Sequence, residues 1–198
     1  MDVCGVVLCG GQSKRMGREK ALLNVRGRPL VVHVAQCLET FADPVILATG
    51  HSGRLGDLGY PEVDDIVPNA GPVSGIVAAM RASPHQLVAV LAADMPFASP
   101  DVFRALCRLY RGEDAVVPIT GDGSQPLHAV YSMSALPLME RALVTERLSL
   151  RRVLEDLKVR FVDEEQWRPA DPSGRFAFNL NRIEDVEMLK AATDAWTS

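Results

Sequence analysis

The chain has 198 residues, 47% of them hydrophobic, and a formal net charge of −4. That length suits one domain, or at most two small ones, with a sizeable core. The mildly acidic balance argues against a general nucleic-acid coat protein.

Val3–Cys9 reads as a buried strand, short, Val-rich and ending at Gly10-Gly11. Pro29–Phe41 reads as a helix, with proline at its first position and Leu30, Val34, Cys37 and Leu38 on one face. Pro44–Gly50 is a second buried strand. Val73–Arg81 is small and apolar, as a helix packed tightly on a sheet would be. Leu87–Asp94 is a third buried strand, and Pro100–Tyr110 a helix with Ser99 as its N-cap. Asp114–Thr120 and Pro126–Ser132 read as strands, and Ala135–Leu143 and Ser149–Leu157 as helices. Residues 158–165 read as a late strand, and Ile183–Ala191 as a last helix. Arg168–Arg175, with two prolines and a glycine, is the candidate for a mobile loop. No repeat, low-complexity tract or linker interrupts this order.

Strands that are apolar on both faces and alternate with helices predict a single α/β domain, 1–198. Its Rossmann-like central sheet is mostly parallel, with helices on both faces. Ligands in such folds collect at the carboxyl ends of the strands, so Gly10-Gly11 and Asp94 are expected on one rim.

Cys4, Cys9, Cys37 and Cys107 form no C-x-x-C pair, which fits buried free thiols in a reducing cytosol rather than a disulfide or metal framework. No apolar run is long enough to span a bilayer, and the first residues carry Asp2 and no basic leader. A soluble cytoplasmic protein, bound to neither membrane nor nucleic acid, is expected.

The stretch VVLCGGQSKRMGREKALL, residues 6–23, follows a buried strand with two glycines and then Lys14, Arg15, Arg18 and Lys20. It fails the Walker pattern, because Arg18 follows Gly17, and it fails the dinucleotide pattern G-x-G-x-x-G. It still has the ingredients of a phosphate cradle. Glycines let backbone N–H groups approach an anion, while Arg15 and Lys20 can neutralise charge on phosphates during transfer, one as a planar fork and one as a point charge. The competing explanation is a solvated basic turn.

Leu8, Gly10, Gly11, Ser13, Arg15, Met16, Gly17 and Lys20 together form L-x-G-G-x-S-x-R-M-G-x-x-K. This resembles the signature loop of nucleotidyltransferases that activate a phosphorylated acceptor, and most of all the molybdenum cofactor guanylyltransferases (MobA-like proteins). The likeness continues through ALLNVRGRPLVVHV, NAGPVSGIVAAM, LAADMPF, SQPLHAVYS and FNLNRIEDVEML, and so from the first strand to the last helix. It implies GTP as donor, the phosphate of molybdopterin as acceptor, and Mg²⁺ as the metal. Leu8, Cys9, Gly10, Gly11, Lys20, Gly71 and Asp94 are implied to bind the nucleotide, together with an aspartate before the Gly-Pro turn, for which spacing from Gly71 favours Asp64 over Asp65.

The resemblance also implies that Asp94 holds Mg²⁺, a hard ion suited to carboxylate and phosphate oxygens. Gln125, His128, Asn179 and Asn181 are read as acceptor-side groups, although His128 also suits a satisfied core position and Asn181 a helix cap. The chain departs from the family pattern at Ala48-Thr49-Gly50, where the family often has an asparagine near the base and where Thr49 offers one donor. A phosphate monoester is already ionised near neutral pH, so no general base is expected.

Two rivals share the chemistry, CTP as donor to molybdopterin and an NTP transferred to a sugar phosphate. Others are a non-catalytic GTP-binding protein delivering cofactor to molybdoenzymes, and a purely structural Rossmann-like domain. The expected partners are the two substrates and molybdoenzymes or their chaperones, with the chain a monomer.

Overall fold

The computed structural model describes residues 2–10, 19–25, 27–180 and 185. Its core is one sheet whose first strand, β1 (Val3–Leu8), is buried at every residue. A strand covered on both faces needs no polar alternation, which is why this segment reads as a continuous apolar run. A two-residue hairpin, β2 (Asn24–Val25) and β3 (Arg28–Pro29), leads into α1 (Leu30–Glu39). Then come β4 (Val45–Gly50), β5 (Glu62–Asp64), α2 (Pro72–Ala82), β6 (Leu87–Ala92) and α3 (Pro100–Leu109). The second half runs β7 (Ala115–Thr120), β8 (Gly123–Ser124), β9 (His128–Ser132), α4 (Leu136–Val144), α5 (Leu150–Leu154), β10 (Val159–Val162) and α6 (Glu164–Trp167).

The strand order is β10-β7-β9-β6-β1-β4-β5, with β8 paired to β7. β1 is parallel to both β4 and β6, β4 to β5, and β7 to β10. β9 runs antiparallel between β6 and β7, and short β8 is antiparallel to β7, so the sheet is mixed but mostly parallel. Alternate side chains feed two cores. Val3 and Val7 point to the layer with α1 and α3, where Leu30, Val34, Phe103 and Trp167 are buried. Cys4, Val6 and Leu8 point to the layer with α2, α4 and α5, where Ile76, Met80, Met139 and Leu150 are buried. Cys4, Cys9 and Cys107 are buried thiols.

Ser99 caps α3, its hydroxyl accepting from the Val102 N–H at 3.3 Å. Arg168–Arg175 is a hydrogen-bonded turn rather than a loose loop. Asp171 accepts from the Ser173 and Phe176 N–H groups at 3.1 and 2.9 Å, and Arg168 donates to the Pro172 carbonyl at 2.9 Å. Residues 158–165 divide between β10 and the start of α6, with Asp163 accepting from the Gln166 N–H between them. The expected helix Ile183–Ala191, and with it Gly11, Arg15 and Asn181, lies outside the described residues apart from Asp185.

Candidate active site

The register that pairs Leu8 with both Ala92 and Ala48 brings the carboxyl ends of β1, β6 and β4 level. Two bonds beyond the strands extend this rim: the Ala93 N–H donates to the Leu8 carbonyl at 3.0 Å, and the Cys9 N–H to the Ala48 carbonyl at 2.9 Å. Leu8 is buried, and the Cys9 carbonyl accepts from Arg54 at 2.7 Å. These two residues, expected to bind nucleotide, therefore support the rim from beneath, and exposed Gly10 is the first loop residue open to a ligand. Burial pushes the Cys9 thiol up to about 12, so it is no nucleophile at neutral pH.

Lys20 opens a single 3₁₀ turn, Lys20–Leu22, on the far side of the glycine loop. Its ammonium stands 3.8 Å from the Asp94 carboxylate and donates to the Leu180 carbonyl at 2.7 Å. Asp94 lies just past β6, and its own carbonyl accepts from the Leu180 N–H at 2.8 Å. Both side chains keep a solvent-facing part, at 22% and 30% exposure. Burial raises the Asp94 carboxyl above the usual carboxylate range, against the opposing pull of Lys20. A cation bound at the solvent-facing part of this carboxylate would favour its charged form.

The segment that crosses the site, 176–180, also carries Asn179. The Asn179 amide nitrogen donates to the Ala177 carbonyl at 2.9 Å. Among the described residues no three His, Cys, Asp or Glu side chains converge on one point. A hard cation held at Asp94 would complete its oxygen shell with phosphate and water, which is the usual habit of Mg²⁺.

On the other flank, α2 begins at Gly71, whose φ of +71° strongly favours glycine, with Pro72 in the first turn. Asp64, favoured by spacing, turns away to the exposed edge. Its carboxylate accepts from the Ser52 N–H at 2.6 Å and from the Ser52 hydroxyl, and both bonds hold its pKa low. Asp65 faces inward instead. Its oxygens lie 3.4 and 3.8 Å from where Cβ atoms on Gly75 and Gly50 would stand, and burial raises its pKa against the pull of Arg54. Neighbouring residues on an extended chain point to opposite sides, and a register shift between Ala48 and Gly50 displaces the β4–β5 pairing. Spacing from Gly71 does not see either effect. The Thr49 hydroxyl, the expected base donor, is buried and donates to the His51 carbonyl and to Glu62, at 3.1 and 3.3 Å.

Two acceptor-side expectations change. His128 is fully buried, stacked 4.0 Å from the Phe103 ring and edge-on to Phe176. Its Nε2 accepts from the Ser99 N–H at 3.3 Å, and burial lowers its pKa to about 3. It is a neutral core residue with no surface to offer an acceptor. Gln125 donates to the Thr120 hydroxyl at 2.9 Å and to the Gly123 carbonyl at 3.2 Å, which closes the β7–β8 hairpin.

Residues 5–169 match the family described as MobA-like NTP transferase domain. The chain belongs to that family. MobA-like relatives include molybdenum cofactor guanylyltransferase from Syntrophotalea carbinolica, 32% identical over 92% of this chain and 88% of that protein. Another of that name, from Desulfosudis oleivorans, is 30% identical over 98% of this chain and 96% of its own. The solved molybdopterin-guanine dinucleotide biosynthesis protein A from Archaeoglobus fulgidus superposes with a TM-score of 0.84 at 27% identity, covering 97% of this chain and 99% of that one. The MobA-like fold reaches further. 2-C-Methyl-D-erythritol 4-phosphate cytidylyltransferase from Thermus thermophilus shares it at a TM-score of 0.69 and 15% identity, covering 96% of this chain and 98% of that one.

Arg54, which the sequence did not single out, stands at this rim. It bonds Thr49, Cys9 and Glu19 together at the rim. A lone arginine in a glycine-rich turn carries no sequence signal for such a role.

Proposed function

We propose that the chain transfers GMP from GTP to the phosphate of the molybdenum–molybdopterin cofactor, releasing pyrophosphate and forming the guanine dinucleotide cofactor. The observation that carries this reading is the placement of Lys20 3.8 Å from Asp94, on a rim that begins at a glycine loop. The family and the names of its relatives support the choice of donor and acceptor.

In this reading the triphosphate lies over the loop that starts at Gly10 and includes Gly11. Lys20 and Arg15 offset charge on its oxygens. Gly71 and Asp65 border the nucleoside side. Asp94 would hold Mg²⁺, which when bound would supply charge neutralisation at the phosphates; Asn179 and Asn181 are assigned to the acceptor. An oxygen of the acceptor phosphate bonds to the α-phosphorus in line, and the bond from that phosphorus to the bridging oxygen of the leaving pyrophosphate breaks. The attacking oxygen is already ionised, so no side chain removes a proton. The chain's residues act by positioning and charge complementarity.

No helix among the described residues is long and apolar enough to cross a membrane. The reaction is assigned to the cytoplasm, to a monomer, and upstream of the molybdoenzymes or chaperones that take the product.

The test is pyrophosphate release with GTP or CTP, with acceptor supplied, in Mg²⁺ and after chelation. Release with GTP alone, abolished by chelator and restored by Mg²⁺, is expected. Release with CTP alone would move the chain to the cytidylyl reaction, and nucleotide binding without product would make it a delivery protein.

A further inference from the structure

The two ends of the glycine and cation loop are joined by one side chain. Arg54 is buried for most of its length, with 22% of its side chain exposed. Its Nη2 donates to the carbonyl of Cys9, the residue before Gly10, at 2.7 Å. Its Nη1 donates to the carboxylate of Glu19, the residue before Lys20, at 2.5 Å. Its Nε donates to the Thr49 carbonyl at 2.6 Å, which ties the fork to β4.

The turn that carries Arg54 is itself held. Glu62 in β5 accepts from the Gly53 N–H at 2.8 Å and from the Thr49 hydroxyl, while Asp64 accepts from the Ser52 N–H. Gly53 and Gly56, both at positive φ, let the chain reverse on either side of Arg54. Two acidic residues of an edge strand thus aim one guanidinium at both ends of the loop.

We propose that Arg54 is a positioning residue for the transfer reaction, setting the separation of the loop's ends and so holding Lys20 beside Asp94. This rests on the reading of the rim as a polyphosphate site. A planar fork with donors in fixed directions can join two carbonyls and a carboxylate at once, whereas an ammonium on a flexible stem cannot match all three. Released from Arg54, Glu19 would be solvated, and Lys20 would depend on its bond to the Leu180 carbonyl and its ion pair with Asp94 to keep its place. A displacement of about 1 Å in a charge-positioning group costs about 10²-fold in rate.

A staple that served stability alone would behave differently from one that acts through Lys20, and a double-mutant cycle separates the two. The variants are Glu19→Gln, Arg54→Ala, Arg54→Lys, Lys20→Ala and Arg54→Ala with Lys20→Ala. Each is measured for melting temperature, for kcat and KM in GTP, and for binding of inorganic tripolyphosphate by calorimetry. Glu19→Gln keeps both carbonyl bonds of Arg54; it is expected to melt with the parent and to lose about tenfold in kcat. Arg54→Ala is expected to lose about 100-fold, with Arg54→Lys recovering more of the melting temperature than of kcat. In the Lys20→Ala background, Arg54→Ala is expected to add less than threefold. Parental kcat in both Glu19→Gln and Arg54→Ala, or losses that multiply in the double variant, would overturn the proposal. If Arg54→Ala does not fold, Glu19→Gln decides alone. If the parent forms no product from any nucleotide, the functional reading fails and tripolyphosphate binding decides this one: fivefold or greater weakening in Glu19→Gln supports it, and unchanged binding rejects it.

Discussion

Gly75 sets how closely α2 approaches the strand ends at the rim. A Cβ built there would stand 3.1 Å from Leu8 Cδ2, 3.2 Å from Ala48 Cβ and 3.4 Å from an Asp65 oxygen. The Ala48 methyl is fixed to a central strand and cannot swing aside, and Leu8 is buried. Gly75→Ala gains about 1 kcal/mol of helix propensity and loses a similar amount to crowding, about 1–2 kcal/mol. Its stability is expected to stay within about 1 kcal/mol of the parent. Gly75→Val keeps the crowding, adds two methyls and gives up part of the propensity gain, for a net loss of about 2–3 kcal/mol. In a chain of this size that lowers the melting temperature by roughly 5–10 °C. Calorimetric melting reads the stability, and KM for GTP is expected to rise with it, because the same helix start carries Gly71 and abuts Asp65. Gly75→Val melting at or above the parent would refute the close packing of α2 on β1 and β4.

Lys20→Ala is expected to lower turnover by about 10²-fold and leave the circular dichroism spectrum of the parent; turnover at the parental rate would remove its role. Asp94→Asn tests the raised carboxyl pKa. The folded state favours the protonated acid, so the stability Asp94 contributes is present at low pH and lost as pH rises through its folded pKa. The melting-temperature gain of the Asn variant over the parent should therefore grow as pH rises above the ordinary carboxylate range and through the folded pKa of Asp94, while turnover in Mg²⁺ is abolished. A constant difference over that rise would deny the raised pKa. His128→Leu removes an Nδ1 that finds no hydrogen-bond partner among the described residues, but leaves the Ser99 N–H without its acceptor. Stability near neutral pH should change by about 1 kcal/mol or less. Below about pH 6.5 the unfolded parent takes up a proton that buried His128, lowered to about 3, refuses. The parent therefore loses stability with acid through this group and the variant does not. A raised acceptor KM in His128→Leu at unchanged stability would return the residue to the site.

The sequence by itself determined the sheet, the rim and the loop. Continuous apolar runs at Val3–Leu8 and Leu87–Ala92 can be satisfied only by cover on both faces, and strands of that kind deliver the residues just beyond their carboxyl ends, Gly10 and Asp94, to one edge. Short elements escaped it. β5 and β8 have too few residues to show a period, and β9 is antiparallel because of how it returns from the β7–β8 hairpin.

Tertiary structure decided which polar groups face the site. Asp64 and Asp65 are chemically identical neighbours; only the bulged β4–β5 edge turns one to Ser52 and the other to Gly75. His128 is polar by residue type, yet the packing of Phe103 and Phe176 makes it part of the core. Arg54 acquires its three partners from segments 5, 35 and 45 residues away in sequence. Local patterning fixes burial and periodicity because these depend on near neighbours, whereas side-chain direction and hydrogen-bond partners depend on groups that only folding brings within reach.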